Sequence, residues 1–271
     1  MNRIFLAAIC VAVLLPCAPS RAAAQDTRLS IDPLADGIVL ATGLGASLAS
    51  ELWLDGPTGG LALPSAGDTA GLPWLDGIAC FPHDEGLSKA SLATLGLGLA
   101  LPATLALGCD GPDLLSAAVC YSEALMWTFA AKNVLKAFFP KARPYTYFGT
   151  PSDGELADEA WESFPSGHAA LAFCSATAFA TLALELVPDR PETPWLIGGA
   201  YLLACGTSGL RVASGQHFIG DVAAGAVLGS AIGWLTVRLH AKASASADSP
   251  VARLQFRRQG LPILVLSYRL P

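Results

Sequence analysis

Apolar stretches recur along the chain, separated by short runs of charged and turn-forming residues. Gly37–Ser50, Ala90–Cys109, Ser163–Leu184, Thr193–Leu210 and Val222–Val237 carry no charge, and Leu114–Ala131 carries only Glu123. Most approach the ~17–25 residues that a membrane helix needs, while Gly37–Ser50 is short for one. Gly and Ala are frequent in them, as close helix packing in lipid favours. Asp110-Gly-Pro-Asp113, Pro188-Asp-Arg-Pro191 and Ser214-Gly215 interrupt the pattern with turn chemistry. The pattern predicts six helices, four or five of them clear spans, in an all-α polytopic membrane bundle. A soluble helical bundle with buried central helices is the competing architecture.

The ends differ from this pattern. Arg3, the apolar run Ile4–Ala18 and the small residues Ala22-Ala23-Ala24 form a secretory leader over residues 1–24, so that Gln25-Asp26 begins the mature chain. An uncleaved first anchor is the alternative. Lipidation at Cys17 does not fit, because Pro16 stands where a small residue is needed. Residues 25–241 then form the helical domain, and 242–271 a linker and tail. Lys242–Pro250 is rich in Ala and Ser, and 251–271 alternate loosely, predicting a short hairpin from Leu254–Phe256 and Ile263–Tyr268. Residues 51–88 and 141–164 are expected as loops, the second with an acidic patch (Asp153, Glu155, Asp158, Glu159, Glu162) that reads as solvated.

Composition narrows the function classes. Charged residues are 14% and apolar residues 53%, with a mean hydropathy of +0.49, which excludes intrinsic disorder. A net charge of −6 and no long basic run argue against a nucleic-acid partner. Five cysteines remain beyond the leader: Cys80, Cys109, Cys120, Cys174 and Cys205. An odd count does not make a disulfide framework, and no cysteine–histidine spacing suits a metal. Cys120, Cys174 and Cys205 read as small buried hydrophobes. Cys80 and Cys109 flank an apolar segment; if it spans a bilayer they are on opposite sides and cannot pair.

Three motifs carry chemistry. In Lys136-Ala-Phe-Phe-Pro-Lys-Ala-Arg143-Pro144, Pro140 ends a helix and Pro144 holds Arg143 extended, so Lys136 and Arg143 can converge on an anion. In Phe164-Pro165-Ser166-Gly167-His168, Pro165 suits a first helical position. The N–H groups of Ser166, Gly167 and His168 would then point outward as an anion site. In Arg211-Val-Ala-Ser-Gly-Gln-His217-Phe-Ile-Gly-Asp221, His217 and Asp221 are four apart and expected on one helical face. A carboxylate beside an imidazole fixes its tautomer and prepares the other nitrogen for attack on phosphorus. Ionisable groups in an apolar span are expensive and usually functional. In an up-down bundle of six helices, the loop after the third and the loop before the sixth lie at the same end.

Together, Lys-x6-Arg-Pro, Pro-Ser-Gly-His and Arg-x5-His-x3-Asp resemble the type 2 phosphatidic acid phosphatase superfamily over Lys136–Asp221. That superfamily includes membrane lipid phosphate phosphatases, soluble bacterial acid phosphatases and vanadium haloperoxidases. One departure is Leu210, where the family usually has Ser or Thr before the third-motif Arg. The resemblance implies His217 as nucleophile, Asp221 as its orienting group and His168 as proton donor to the leaving oxygen. It implies Lys136, Arg143, Arg211, Ser166 and the Gly167 N–H as the phosphate cradle, with no metal or other cofactor.

The expected activity is metal-independent hydrolysis of a lipid phosphate or pyrophosphate. The alternatives are a secreted soluble acid phosphatase of the same superfamily, a haloperoxidase, which the short chain disfavours, and a non-catalytic polytopic protein. Candidate substrates are undecaprenyl pyrophosphate, phosphatidic acid, phosphatidylglycerol phosphate and a lipid A phosphate. A cleaved leader puts residue 25 outside, so a spanning Gly37–Ser50 would turn the site to the cytoplasm. The basic tail (Arg238, Lys242, Arg253, Arg257, Arg258, Arg269) favours the opposite, with the Arg211–His217 loop outside. The expectation is a bacterial inner-membrane protein whose site faces the periplasm.

Overall fold

The computed structural model describes residues 28–53, 61–149, 154–241, 253–255 and 263–265. The leader and the Ala/Ser linker lie outside these residues. Two compact units separate, Met1–Ala241 and Lys242–Pro271.

The first unit is helical. α1 spans Pro33–Trp53, α2 Trp74–Gly77, α3 Glu85–Ala100, α4 Gly111–Phe138, α5 Gly154–Asp158, α6 Gly167–Leu186, α7 Thr193–Ala213 and α8 Ile219–His240. The starts follow from the sequence. Asp84 caps α3 by accepting from the Leu87 N–H at 2.8 Å, and Asp110 caps α4 through the Asp113 N–H at 3.0 Å. Pro102 cannot donate to the ladder, and α3 tightens there into a 3-10 segment, Leu101–Leu107. α4 ends two residues before Pro140, as the restriction on the residue before proline requires.

Among the described residues, six helices are long and apolar enough to cross a membrane: Pro33–Leu52, Glu85–Leu107, Gly111–Phe138, Gly167–Leu186, Thr193–Ala213 and Ile219–His240. The fold is thus an all-α, six-helix membrane bundle. α1 exceeds the length expected from Gly37–Ser50 because it takes in Asp36 and Glu51. Both acids have partners: His240 lies 3.3 Å from Asp36, and the Asn133 amide donates to Glu51 at 3.0 Å. Large apolar side chains cover the outside, including Leu97, Leu107, Trp195, Leu202, Val227 and Leu239, each more than 60% exposed. So continuous an apolar surface belongs in lipid rather than water. The soluble-bundle alternative gives way on that ground.

α6 is the central helix, with 15 of its 20 residues buried. α8 packs closely against it along Gly225, Gly229 and Gly233. A Cβ on Gly229 would stand 1.9 Å from the Ala170 carbonyl oxygen, and one on Gly225 2.5 Å from that of Ser166. Only glycine allows two helix backbones to approach so far. At one end of the bundle the Ser30 N–H donates to the His240 carbonyl at 2.6 Å, and Leu29 bridges Ala241. The beginning of α1 and the end of α8 therefore share an end. The loops after α4 and before α8 lie at the other.

The described cysteines are free thiols. Cys120 and Cys174 are buried as expected, but Cys205 is exposed. It lies on α7, a peripheral helix whose apolar run faces outward rather than into the core. In the second unit, Arg253–Gln255 pairs antiparallel with Ile263–Val265, which overlaps the hairpin expected from Leu254–Phe256 and Ile263–Tyr268; Phe256 and 266–268 lie outside the described residues.

Candidate active site

The loop after α4 doubles back on itself. Lys141 N–H donates to the Trp161 carbonyl and Arg143 N–H to that of Ala160, at 3.0 and 2.9 Å. This brings Arg143 and the Ser163–His168 segment to one place. Ser166, not Pro165, meets the helix: it is the N-cap of α6, its Oγ accepting from the Ala169 N–H at 3.4 Å. Pro165 stands one residue before the cap. The Ser166 N–H, expected to face an anion, instead donates to the Asp221 carbonyl at 3.0 Å and ties the α6 start to that of α8. The N–H groups of Gly167 and His168 remain in the first turn, where the helix itself offers no acceptor.

His217 is 1% exposed. Its Nδ1 lies 2.7 Å from the Ser163 carbonyl oxygen and donates to it, which leaves the Nε2 lone pair outward. The expected face-sharing of His217 and Asp221 is not what the chain adopts. α8 begins at Ile219 with Phe218 as its cap, so His217 precedes the helix and the four-residue rule does not reach it. The fully buried Asp221 carboxylate accepts from Ser163 Oγ at 2.5 Å, from the Phe218 N–H at 3.0 Å and from Lys141 Nζ at 2.7 Å. Ser163 thus joins the two, its carbonyl on the imidazole and its hydroxyl on the carboxylate. Lys141 also reaches Asp76 of α2 at 2.8 Å, and the Gly220 N–H donates to Asp76 at 2.9 Å. Burial works to lower the Lys141 pKa, but Asp221 and Asp76 outweigh it and hold the ammonium above its usual range.

Gln216 organises the arginines. Its Oε1 accepts from Arg143 Nη1 and, at 3.2 Å, from Arg211 Nη2. With the oxygen so occupied, its Nε2 donates to His83 Nδ1 at 2.9 Å. Arg211 also donates to Ser88 Oγ of α3 at 3.1 Å. Leu210 offers Arg211 no hydroxyl, and Ser88 supplies one from another helix. The Nε atoms of both arginines are buried without a hydrogen-bond partner among the described residues. Lys136, in the last turn of α4, pairs with Glu162 at 3.2 Å, and Arg143 with Glu159 at 2.9 Å. These acids are therefore not merely solvated. Burial raises their pKa values, but Arg143 and Lys136 lower them further, so both carboxyls stay ionised below the usual range.

Lys132, one turn before Lys136, adds a fourth cation. A Cβ on Gly167 would meet its Cδ at 3.0 Å, so glycine there makes room for the lysine as well as for a ligand. The site is closed on one side by residues 61–84. Asp84 N–H donates to the Ser214 carbonyl at 3.2 Å, and Gly215, with φ +68°, leaves no space for a Cβ against the Phe81 and Pro82 carbonyls. Sequence spacing held one signal for these additional residues: Lys132 lies four before Lys136, on the same helical face. Gln216 stands next to His217 in the third motif, whereas His83, Asp76 and Ser88 join the site only through tertiary packing.

The imidazole of His217 feels this setting. Burial pushes its pKa well below the usual value, and Arg143, Arg211, Lys136 and His168 push it further. A neutral imidazole with one nitrogen held by a carbonyl, facing a cluster of cations, is equipped to attack an anionic electrophile.

Two of three comparisons with known proteins find a match. The PAP2 superfamily model matches residues 117–245, a stretch that includes every site residue from Lys136 to Asp221. That segment is a PAP2-superfamily phosphatase domain. No curated protein matches the chain. Among solved structures, the chain is similar to the transmembrane PAP2-type phosphatidylglycerolphosphate phosphatase of Bacillus subtilis, with 21% identity, 76% of this chain and 92% of that chain covered, and a TM-score of 0.42. In this PAP2 domain the three motifs converge at one end of the bundle. Glu159 and Glu162 occupy two of the cations, and Ser163, Gln216 and the 61–84 segment hold the rest in place.

Proposed function

We propose that this membrane PAP2 phosphatase hydrolyses a lipid phosphate or pyrophosphate through a phosphohistidine on His217, without a metal ion. The carrying observation is the pairing of a cation cluster with apolar surface at its mouth. Phe138 and Phe139, two and three residues beyond Lys136, are 74% and 56% exposed, and Trp74 on α2 is 77% exposed. A substrate with its phosphate on the cations and its chains in the bilayer satisfies both.

In the proposed reaction the substrate phosphate displaces Glu159 and Glu162 from Arg143 and Lys136. The two arginines, Lys132, Lys136 and the Gly167 N–H balance the charge on the equatorial oxygens, which is the main demand of phosphoryl transfer. His217 Nε2 forms a bond to phosphorus as the P–O bond to the lipid breaks. His168 gives its proton to the departing oxygen. Water then attacks phosphorus while His168 takes up a proton, the P–N bond breaks, and the electron pair returns to Nε2. Asp221 acts through Ser163 as a positioning residue.

The site is proposed to face the periplasm of a bacterial inner membrane. With α1 crossing, the segment before it shares an end with residue 241, and the basic residues at and after that point in the sequence, Arg238 and Lys242 first, put that end in the cytoplasm by the positive-inside tendency. This orientation and a leader cleaved after residue 24 exclude one another in a six-span chain, since cleavage would place residue 25 outside. The test of function is phosphate release in detergent from long-chain lipid phosphates and from p-nitrophenyl phosphate, with and without EDTA. A wide kcat/KM preference for the lipid, unchanged by EDTA, supports the reading. Equal efficiency on both, or loss in EDTA restored by Mg²⁺, contradicts it.

A further inference from the structure

Glu123 is the lone charge in the apolar run of α4, and phosphoryl transfer makes no use of it. Its carboxylate meets Asp36 in the first turn of α1 and His240, the last residue of α8. His240 Nε2 lies 3.3 Å from Asp36 Oδ1 and 3.4 Å from Glu123 Oε2. One ligand atom from each of the three side chains lies within 4.8 Å of the others. Asp36 is 9% exposed and Glu123 1%. Glu123 Oε1 has no hydrogen-bond partner among the described residues. A buried carboxylate oxygen left so is costly and requires an occupant.

Two occupants are chemically available, a proton and a metal cation. His240 Nδ1 donates to the Thr236 carbonyl at 2.8 Å, so the state of Nε2 decides between them. A proton on Nε2 would make an imidazolium between two carboxylates. Contacts of 3.3 and 3.4 Å are long for that pair, since charge-assisted N–H···O bonds run about 2.7–2.9 Å. It would also leave one negative charge in an apolar setting; a second proton on Glu123 would remove that charge but leave Oε1 without a hydrogen-bond partner among the described residues. A dication removes both difficulties, because two carboxylates and a neutral imidazole balance it. Ligand atoms around a tetrahedral ion with bonds of about 2.0–2.1 Å stand ~3.3–3.4 Å apart, which is the spacing found from Nε2 to each carboxylate. A ligating histidine that gives its other N–H to a backbone carbonyl is the usual supporting arrangement.

We propose that Asp36, Glu123 and His240 bind one divalent transition-metal cation, with Zn²⁺ as the reference ion. An imidazole with two carboxylates suits Zn²⁺ better than Mg²⁺ or Ca²⁺. The ion joins α1, α4 and α8 at the end of the bundle remote from His217, where the His240 carbonyl already holds Ser30. Its role is structural, and it is independent of the phosphate chemistry.

The experiment uses full-length, untagged protein in detergent, stripped with a chelator and then titrated with Zn²⁺. Metal content after gel filtration, Zn K-edge absorption and Tm are read together. The expected result is one retained Zn²⁺ per chain, a shell of N and O ligands containing one imidazole, and a Tm that rises with Zn²⁺. Glu123→Gln and His240→Ala should each lose the retained ion, while phosphatase turnover at low temperature is the same with and without Zn²⁺. Substoichiometric retention by the wild-type chain, a sulfur shell, or full retention in both variants overturns the proposal. The wild-type absorption spectrum decides the matter even if a variant fails to fold.

Discussion

His217 and Asp221 meet through a third residue: the Ser163 carbonyl accepts from the imidazole at 2.7 Å, while the Ser163 hydroxyl donates to the carboxylate at 2.5 Å. The backbone, rather than a carboxylate, thereby selects the tautomer. Ser163→Ala keeps the carbonyl and loses only the hydroxyl, so kcat should fall modestly, by about tenfold. Asp221→Asn removes a buried charge from half-buried Lys141 as well, and should cost more in both kcat and Tm. Comparing kcat, KM and Tm for the two variants checks this order. A larger loss in Ser163→Ala than in Asp221→Asn would contradict it.

Glu159 and Glu162 compete with the phosphoryl group for Arg143 and Lys136. Glu159→Gln should therefore tighten competitive inhibition by vanadate, by roughly 1.5–5-fold, the worth of about one partly exposed ion pair. The inhibition constant measured at fixed pH and ionic strength is the readout. Unchanged or weaker inhibition would mean that Glu159 supports the cradle instead of competing for it.

The depressed His217 pKa, caused first by burial and then by Arg143 and Arg211, fixes the sign of a pH effect. The folded imidazole releases its proton at a lower pH than the ordinary ~6.5 of the unfolded chain. Between those two values the unfolded state binds more protons, so stability rises with pH there. The contribution is present above ~6.5 and is lost as pH falls toward the folded value. The nucleophile likewise stays neutral below ~6.5, and the acid limb of kcat/KM should lie beneath that pH once the substrate's own ionisation is corrected for. A His217-dependent limb at or above ~6.5 contradicts this.

Gly229 should tolerate no side chain. Its Cβ position lies 1.9 Å from the Ala170 carbonyl, so Gly229→Ala must separate α8 from α6. Overpacking of this kind costs about 1–3 kcal/mol, and more where backbone must move. Because the start of α8 carries Asp221 and follows His217, activity should fall together with Tm. Thermal unfolding in detergent tests this against Gly37→Ala, where a Cβ meets nothing within 4 Å.

The six helices were legible because uncharged runs of sufficient length have few alternatives, and the turn residues between them set the caps Asp84 and Asp110. α1 was underestimated by counting only uncharged residues, since Asp36 and Glu51 are tolerated through partners from distant helices. Convergence of the three motifs followed from up-down connectivity. The His217–Asp221 relation was misjudged because the helix starts two residues after His217, and the position of a cap within ±2 residues is the least certain feature of a sequence pattern. Docking of residues 61–84 left only a glycine at position 215 as its sign. The Glu159 and Glu162 pairs depend on how one loop folds back, which local spacing does not encode.

The central claim is the covalent step at His217, and labelling with a ³²P-substrate followed by an alkaline SDS quench tests it most directly. The wild-type chain should trap an acid-labile, base-stable phosphohistidine, and EDTA should not prevent it. His217→Ala should trap none with any substrate. His168→Ala should still label with an activated aryl phosphate, which needs little protonation of its leaving group, while losing about 10²–10⁴-fold turnover on the lipid. A covalent phosphoenzyme that persists in His217→Ala, or one that disappears in His168→Ala alone with the activated substrate, would contradict the account.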